Sequence, residues 1–158
     1  MKTLNNVPDN AKKISVGVLQ GVLVDSSDLT NATRQAHWNV KGPQFAGLHK
    51  LFEEFYTTLN DLTDVVAERI VQLGAIADGT TQTIGDTTRL EPYSKTLLDG
   101  MDHVKALATR YASLANTVRE GIDATDEAGD AETSDLLNAH GQFIDKSLWM
   151  LEAHFTRP

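Results

Sequence analysis

Between Phe45 and Leu73 the apolar residues Phe45, Leu48, Phe52, Phe55, Leu59, Leu62, Val66 and Leu73 recur at steps of three and four, with one step of seven. The pattern predicts one stripe of a long helix, and that stripe has to face the chain's own core. With Phe52 set at zero and about 100° per residue, the stripe centres near roughly −40°. His49, Glu53, Asp64 and Glu68 then fall at roughly 60°, 100°, 120° and 160° on the same count. These four polar groups share one arc away from the core. They form two i,i+4 pairs, His49 with Glu53 and Asp64 with Glu68, in which both side chains reach one point. Taken alone, either pair reads as a solvated surface contact. Taken together, they suit the holding of a metal ion.

Glu53 and Asp64 are eleven residues apart, about 16 Å along a helix axis at ~1.5 Å per residue, so they cannot share one ion. Each pair is half a site. A second copy of this helix, antiparallel about a two-fold axis near residues 58 and 59, would set each first pair beside the other chain's second pair. Two identical sites roughly 22 Å apart would result.

Around this helix the remaining pattern is also helical. Asn10 is a candidate N-cap for a first helix with Ile14, Val18, Val22, Leu29, Ala32 and Ala36 on its apolar side, ending near Val40 before Gly42-Pro43. His37 lies in its last turns. The second helix runs from about Gln44 to Leu73, with Gly74 as its C′ residue, and the short connection makes the two antiparallel neighbours. Residues 74–93 are rich in Gly and Thr, allow two turns of helix around Thr81 to Thr88, and stop at Pro92. A third helix is expected from Ser94 or Lys95 through Met101, Leu107, Tyr111, Val118 and Ile122. Asp130, with Glu132 behind it, caps a fourth through Leu137, Ile144, Leu151 and Phe155. The fold class is all-α: a ferritin-like four-helix bundle with a short extra helix in the long crossover between helices 2 and 3. Residues 1–9 read as a mobile or docking tail, and residues 10–158 as one domain.

Composition narrows the chemistry. The chain has 158 residues, 41% of them hydrophobic, which is enough for one well-cored domain. It has no cysteine, so disulfides, thiolate ligands and cysteine nucleophiles are excluded. No stretch approaches the ~18 apolar residues of a membrane span, and a soluble, cytoplasmic protein is expected. A net charge of −8 disfavours nucleic-acid binding by bulk electrostatics and favours cations.

Three runs, QAHWNVKGPQFAGLH at 35–49, DVVAERIVQLG at 64–74 and KSLWMLEAHF at 146–155, resemble the Dps family, DNA-binding proteins from starved cells, a dodecameric branch of the ferritin superfamily. The resemblance covers the whole length. It implies a ferroxidase centre at a two-fold dimer interface, with His37, His49 and the acid at position 53 from one subunit and Asp64 and Glu68 from its partner. Glu53 departs from the aspartate of many relatives. The resemblance also implies an iron-storing, detoxifying shell that oxidises Fe(II), with hydrogen peroxide as the preferred oxidant. Imidazole and carboxylate donors suit iron(II), with zinc, manganese and cobalt as substitutes.

Trp38 reads either as an electron donor beside the metals, by resemblance, or as an aromatic at a dimer contact. Trp149 reads as core or interface packing. Asp123, Asp126, Glu127 and Asp130 are either helix-end caps or, repeated about a three-fold axis in a shell, a negative funnel admitting iron. Glu54 reads as a cavity residue or plain surface, and His103, His140 and His154 as structural or surface histidines. The rival functions are a nucleoid-coating protein and a catalytically silent bundle. Against the first, only Lys2, Lys12, Lys13 and Arg157 supply positive charge near the chain ends, so DNA binding is expected to be weak or absent.

Overall fold

A computed structural model of the chain describes residues 3–155. Its helices are α1 Asp9–Asn39, α2 Phe45–Gln72, α3 Thr81–Thr87, α4 Gly100–Glu127 and α5 Ala131–Glu152, with no strand among the described residues. The four long helices build the bundle: α1 packs on α2 and α4, and α4 packs on α5. The short α3 lies in the crossover and packs on α1, as the all-α reading required.

The helix boundaries differ from expectation at three points. α1 begins at Asp9, so Asn10 sits inside the first turn and is not the cap. Pro8 has φ −56° and its carbonyl accepts from the Lys12 N–H at 2.9 Å, so the ring's fixed geometry starts the helix early. α4 begins at Gly100 and not near Ser94 or Lys95. The Lys41 N–H donates to the Leu98 carbonyl at 2.7 Å and the Gly100 N–H to the Lys41 carbonyl at 3.1 Å, and a helix through this stretch would forfeit both. Asp99 then caps α4, accepting from the N–H groups of Met101 and Asp102. Gly100 permits the close approach, since a Cβ there would stand 2.8 Å from Leu48 Cδ1. Finally α5 stops at Glu152, and Phe155 lies beyond it on the surface.

Gly74 closes α2 as expected. Its φ is +90°, and the N–H groups of Gly74 and Ala75 return to the carbonyls of Val71 and Ile70 at 2.9 and 3.2 Å. Of the α2 stripe, Leu48, Phe52, Phe55, Leu59, Val66 and Leu73 are buried, while Phe45 and Leu62 lie at its margin. On α1, Ile14 points outward, and Ala11 and Leu19 take inner positions instead. Residues 3–8 are docked: the Asn5 side chain donates to the Gln72 carbonyl at 2.9 Å, and Val7 packs on the core.

The core also carries polar ties from α1. Ser15 donates to Asp130 at 2.6 Å, Ser26 Oγ meets His140 Nε2 at 2.9 Å, and Thr33 meets the Tyr111 hydroxyl at 3.2 Å. None of the described helices is long and apolar enough to cross a membrane.

Candidate metal centre

The carbonyls in the last turn of a helix have no donor within it. At the end of α1, the His37 carbonyl accepts from His49 Nδ1 at 2.8 Å, and His37 Nδ1 donates in return to the His49 carbonyl at 2.8 Å. The rings stack between these bonds, with centroids 3.8 Å apart and planes inclined by 20°. A carbonyl oxygen only accepts, so each Nδ1 carries the proton in the neutral ring. Both Nε2 atoms are thereby left with a lone pair. Backbone groups that fix the tautomer and orientation of an imidazole are the usual support of a metal-ligating histidine. The turn between the rings depends on Gly42, whose φ of +109° falls in the left-handed region.

Glu53 lies one turn beyond His49 and is exposed, as are Asp64 and Glu68 further along α2. Among the described residues of this single chain, no three His, Cys, Asp or Glu side chains are gathered where they could hold one metal ion. The histidine pair and the Asp64–Glu68 pair are two separate partial donor sets. Their nitrogens and carboxylate oxygens suit a borderline or hard divalent cation.

Trp38 is 67% exposed beside this pair. The edge of Tyr56 meets the His37 ring, at 5.3 Å and 73°, and the Arg34 guanidinium lies 5.0 Å over the same tyrosine. Tyr56 and Arg34 were not singled out by sequence. Their spacing, seven residues after His49 and three before His37, was the available signal.

The Ferritin-like domain family model matches residues 17–157. Over 153 residues the chain is 46% identical to the DNA protection during starvation protein of Agrobacterium fabrum, covering 97% of this chain and 94% of that one. The chain belongs to the Dps family. Among solved structures, Dps from Mycobacterium smegmatis superposes with a TM-score of 0.94 at 29% identity, covering 99% of this chain and 94% of that one. Dps from Vibrio cholerae O1, described as a member of a broad superfamily of ferritin-like diiron-carboxylate proteins, gives 0.92 at 26% identity, covering 98% and 97%. The bundle is therefore a ferritin-like fold of the Dps type.

Within this Dps chain the four acids at the α4–α5 turn divide. Asp123, Asp126 and Glu127 are exposed on the last turns of α4. Asp130 leaves the set, because its side chain is fully buried and fully used. Its oxygens accept from Arg69 Nη2 at 2.7 Å, from Ser15 and Thr133 hydroxyls at 2.6 Å each, and from the Thr133 N–H at 3.2 Å. Burial opposes its ionisation, but these hydrogen bonds outweigh that and hold the carboxyl below its ordinary value.

Glu54 is exposed, and Trp149, 65% exposed, is not a core residue. His103 and His140 are buried with hydrogen-bond partners, and exposed His154 bonds the Met150 carbonyl of its own helix end. Lys2 and Arg157, weighed above for DNA contacts, lie outside the described residues.

Proposed function

We propose that this Dps chain is an iron-storage and detoxification protein that works in the cytoplasm as a dodecamer built from two-fold dimers. Fe(II) is its substrate. Two Fe(II) ions give one electron each to hydrogen peroxide, which takes up two protons and leaves as two waters, and the ferric product is stored as mineral in the shell. His37, His49 and Glu53 of one subunit and Asp64 and Glu68 of its partner are the proposed ligands. The imidazoles supply neutral donors, and the carboxylates offset the charge that rises on oxidation. Zn(II) would compete for the same donors. Asp123, Asp126 and Glu127 are proposed to line the route by which iron enters, and Trp38 to donate electrons to oxidising species at the centre.

The observation that carries this reading is the reciprocal His37–His49 brace, which engages both Nδ1 atoms and leaves both Nε2 atoms for a ligand, while no three donors gather among the described residues of one chain. A mixing experiment tests it. His37→Ala and Glu68→Ala proteins should each lose rapid ferric absorbance after anaerobic Fe(II) loading and peroxide addition. Refolded together they should regain it, because a mixed dimer contains one intact shared site. Two inactive variants that stay inactive when mixed would sink the shared-site reading.

The name that the relatives share, DNA protection during starvation protein, points to a second reading, protection of DNA by direct coating. A net charge of −8 favours little binding at moderate salt. Tight, salt-sensitive retardation of duplex DNA by the intact protein would reverse that ranking.

A further inference from the structure

Behind the metal-binding helix lies a second cluster of rings that the proposed ferroxidase chemistry does not use. Tyr93, in the crossover, sets its hydroxyl 2.7 Å from Nδ1 of His103, which is buried one turn into α4. The two rings lie nearly parallel, 14° apart in plane with centroids at 6.0 Å. The edge of Phe52 meets His103 at 6.4 Å, and Phe52 is the chain neighbour of Glu53. The start of α4 is itself tied through the Lys41–Leu98 and Gly100–Lys41 bonds to the α1–α2 turn that carries the histidine brace.

Tyr93 is held in place from its other side. The Arg110 guanidinium lies 4.9 Å over its ring and is pinned to the carbonyls of Glu91, Pro92 and Ala106 at 3.0, 2.6 and 2.8 Å. One flank of the ring opens on a surface cleft of about 470 Å³ shared with Asp28, Asn31, Gln35 and Lys95. The phenol is thus fixed on its base and also within reach of small solutes.

The chain has three tyrosines, and they differ in what the hydroxyl meets. Tyr111 is fully buried on Thr33, and Tyr56 contacts the His37 ring and Arg34. Tyr93 has an imidazole nitrogen. A phenol that loses an electron becomes a far stronger acid than imidazolium, so an aligned basic nitrogen lets electron and proton leave together and makes the oxidation easier. Burial holds the Tyr93 phenol above its ordinary range and the His103 imidazole below its own, and the neutral ring with its proton on Nε2 presents the Nδ1 lone pair to the hydroxyl.

We propose that Tyr93 and His103 form a proton-coupled electron donor that quenches one-electron oxidants arising at the metal centre. The oxidant is of the hydroxyl-radical class, formed when a single Fe(II) reduces hydrogen peroxide. In the step, Tyr93 gives one electron, which reduces the hydroxyl radical to hydroxide, and its hydroxyl proton moves to His103 Nδ1. A neutral tyrosyl radical and an imidazolium remain. A small reductant in the cleft, ascorbate for instance, returns one electron, and His103 returns the proton. The proposal takes only its oxidant from the iron chemistry above.

Two arms of one experiment test it on the intact assembly. In the first, a flash-generated ruthenium(III) tris-bipyridyl oxidant is applied to metal-free protein and the radical is read by electron paramagnetic resonance. In the second, the source is Fe(II) with peroxide. The expected result is a tyrosyl signal in both arms that Tyr93→Phe removes. His103→Gln, which keeps the ring packed but is a poor base, should slow its formation at least about tenfold and abolish its solvent deuterium effect. A signal in the metal-free arm unchanged by Tyr93→Phe, or one unaffected by His103→Gln, overturns the proposal. Iron oxidation without a Tyr93 radical in the second arm overturns its link to the metal centre. Absence of iron oxidation, with a Tyr93 radical in the first arm, overturns the ferroxidase reading and leaves the donor pair standing.

Discussion

The histidine brace at the α1–α2 turn and the Asp130 knot at the α4–α5 turn are built from the same materials. Each lies at the end of a helix, uses a glycine with positive φ in its turn, and joins side chains from different helices. They differ in what is left over. Around Asp130, Arg69, Ser15 and Thr133 fill the carboxylate, and Arg69 Nε bonds Thr133 as well. At the brace, the backbone satisfies each Nδ1 and neither Nε2, and no three His, Asp or Glu side chains are gathered there among the described residues. A polar cluster that closes on itself holds the fold together. One that is rigid and still open is prepared for something outside the chain.

The largest effect should come from opening the closed cluster. Asp130→Ala removes the acceptor of Arg69 Nη2 and leaves this mostly buried guanidinium with only the Thr133 hydroxyl on Nε and exposed Glu132 4.0 Å away. Removing one partner of a buried ion pair costs about 3–5 kcal/mol, and urea unfolding monitored by circular dichroism should show that loss. Ferric absorbance per folded assembly should hold. If Asp130→Ala stayed as stable as the parent and instead slowed iron uptake, the residue would return to the acidic route from which its burial removes it.

The matching change at the open cluster should do the reverse. In His37→Ala the backbone carbonyl that receives His49 Nδ1 remains, so stability should fall by no more than about 1 kcal/mol. Loss of the imidazole should lower peroxide-driven iron oxidation about a hundredfold, the scale on which metal sites respond to changes in their ligands or ligand supports. A variant that unfolds or dissociates while the remaining assembly keeps full activity would make His37 a structural residue.

Acid separates the two kinds of burial again. His140 is buried with a single partner, Ser26, and its Nδ1 has none among the described residues. Burial therefore pushes the imidazole down to about 4. The unfolded chain takes the proton near its ordinary value of about 6.5, so stability is whole above that pH and falls as pH drops toward 4, by a few kcal/mol per chain. Asp130, held below its ordinary value, acts only further down, where protonation undoes the knot. His140→Gln should flatten the upper limb of the stability–pH curve alone, and an unchanged upper limb would assign it to another group.

The bundle was legible because apolar periodicity is a property of each helix taken singly. The stripe on α2 and the Gly74 stop needed no partner to be read. The α4 start was not legible, because it is decided by backbone bonds from Lys41, more than fifty residues earlier. Spacing also exposed His49, Glu53, Asp64 and Glu68, since they lie on one helix. It gave no sign that His37 and His49 would exchange hydrogen bonds, nor that Asp130 would be walled in by Ser15 and Arg69. An acid at a turn looks the same in sequence whether it caps a buried helix end or faces water. Tyr93 carries no signal in the sequence, and His103 reads there only as a structural or surface histidine, for a related reason: the partner of each lies on another element.

The smallest effect belongs to the acids that remain exposed at the α4–α5 turn. Asp123→Asn with Asp126→Asn removes two charges that make no ion pair among the described residues, and unfolding should be unchanged. If these carboxylates draw cations inward, the initial rate of Fe(II) uptake should fall about threefold at low ionic strength, and the difference should vanish near ~1 M salt, where the Debye length is ~3 Å. Stopped-flow absorbance at two salt concentrations reads both. A deficit that persists in high salt would mean direct iron contact and not long-range attraction. No deficit at low salt would leave Asp123 and Asp126 as solubilising residues only and would remove the proposed entry route from the α4–α5 turn.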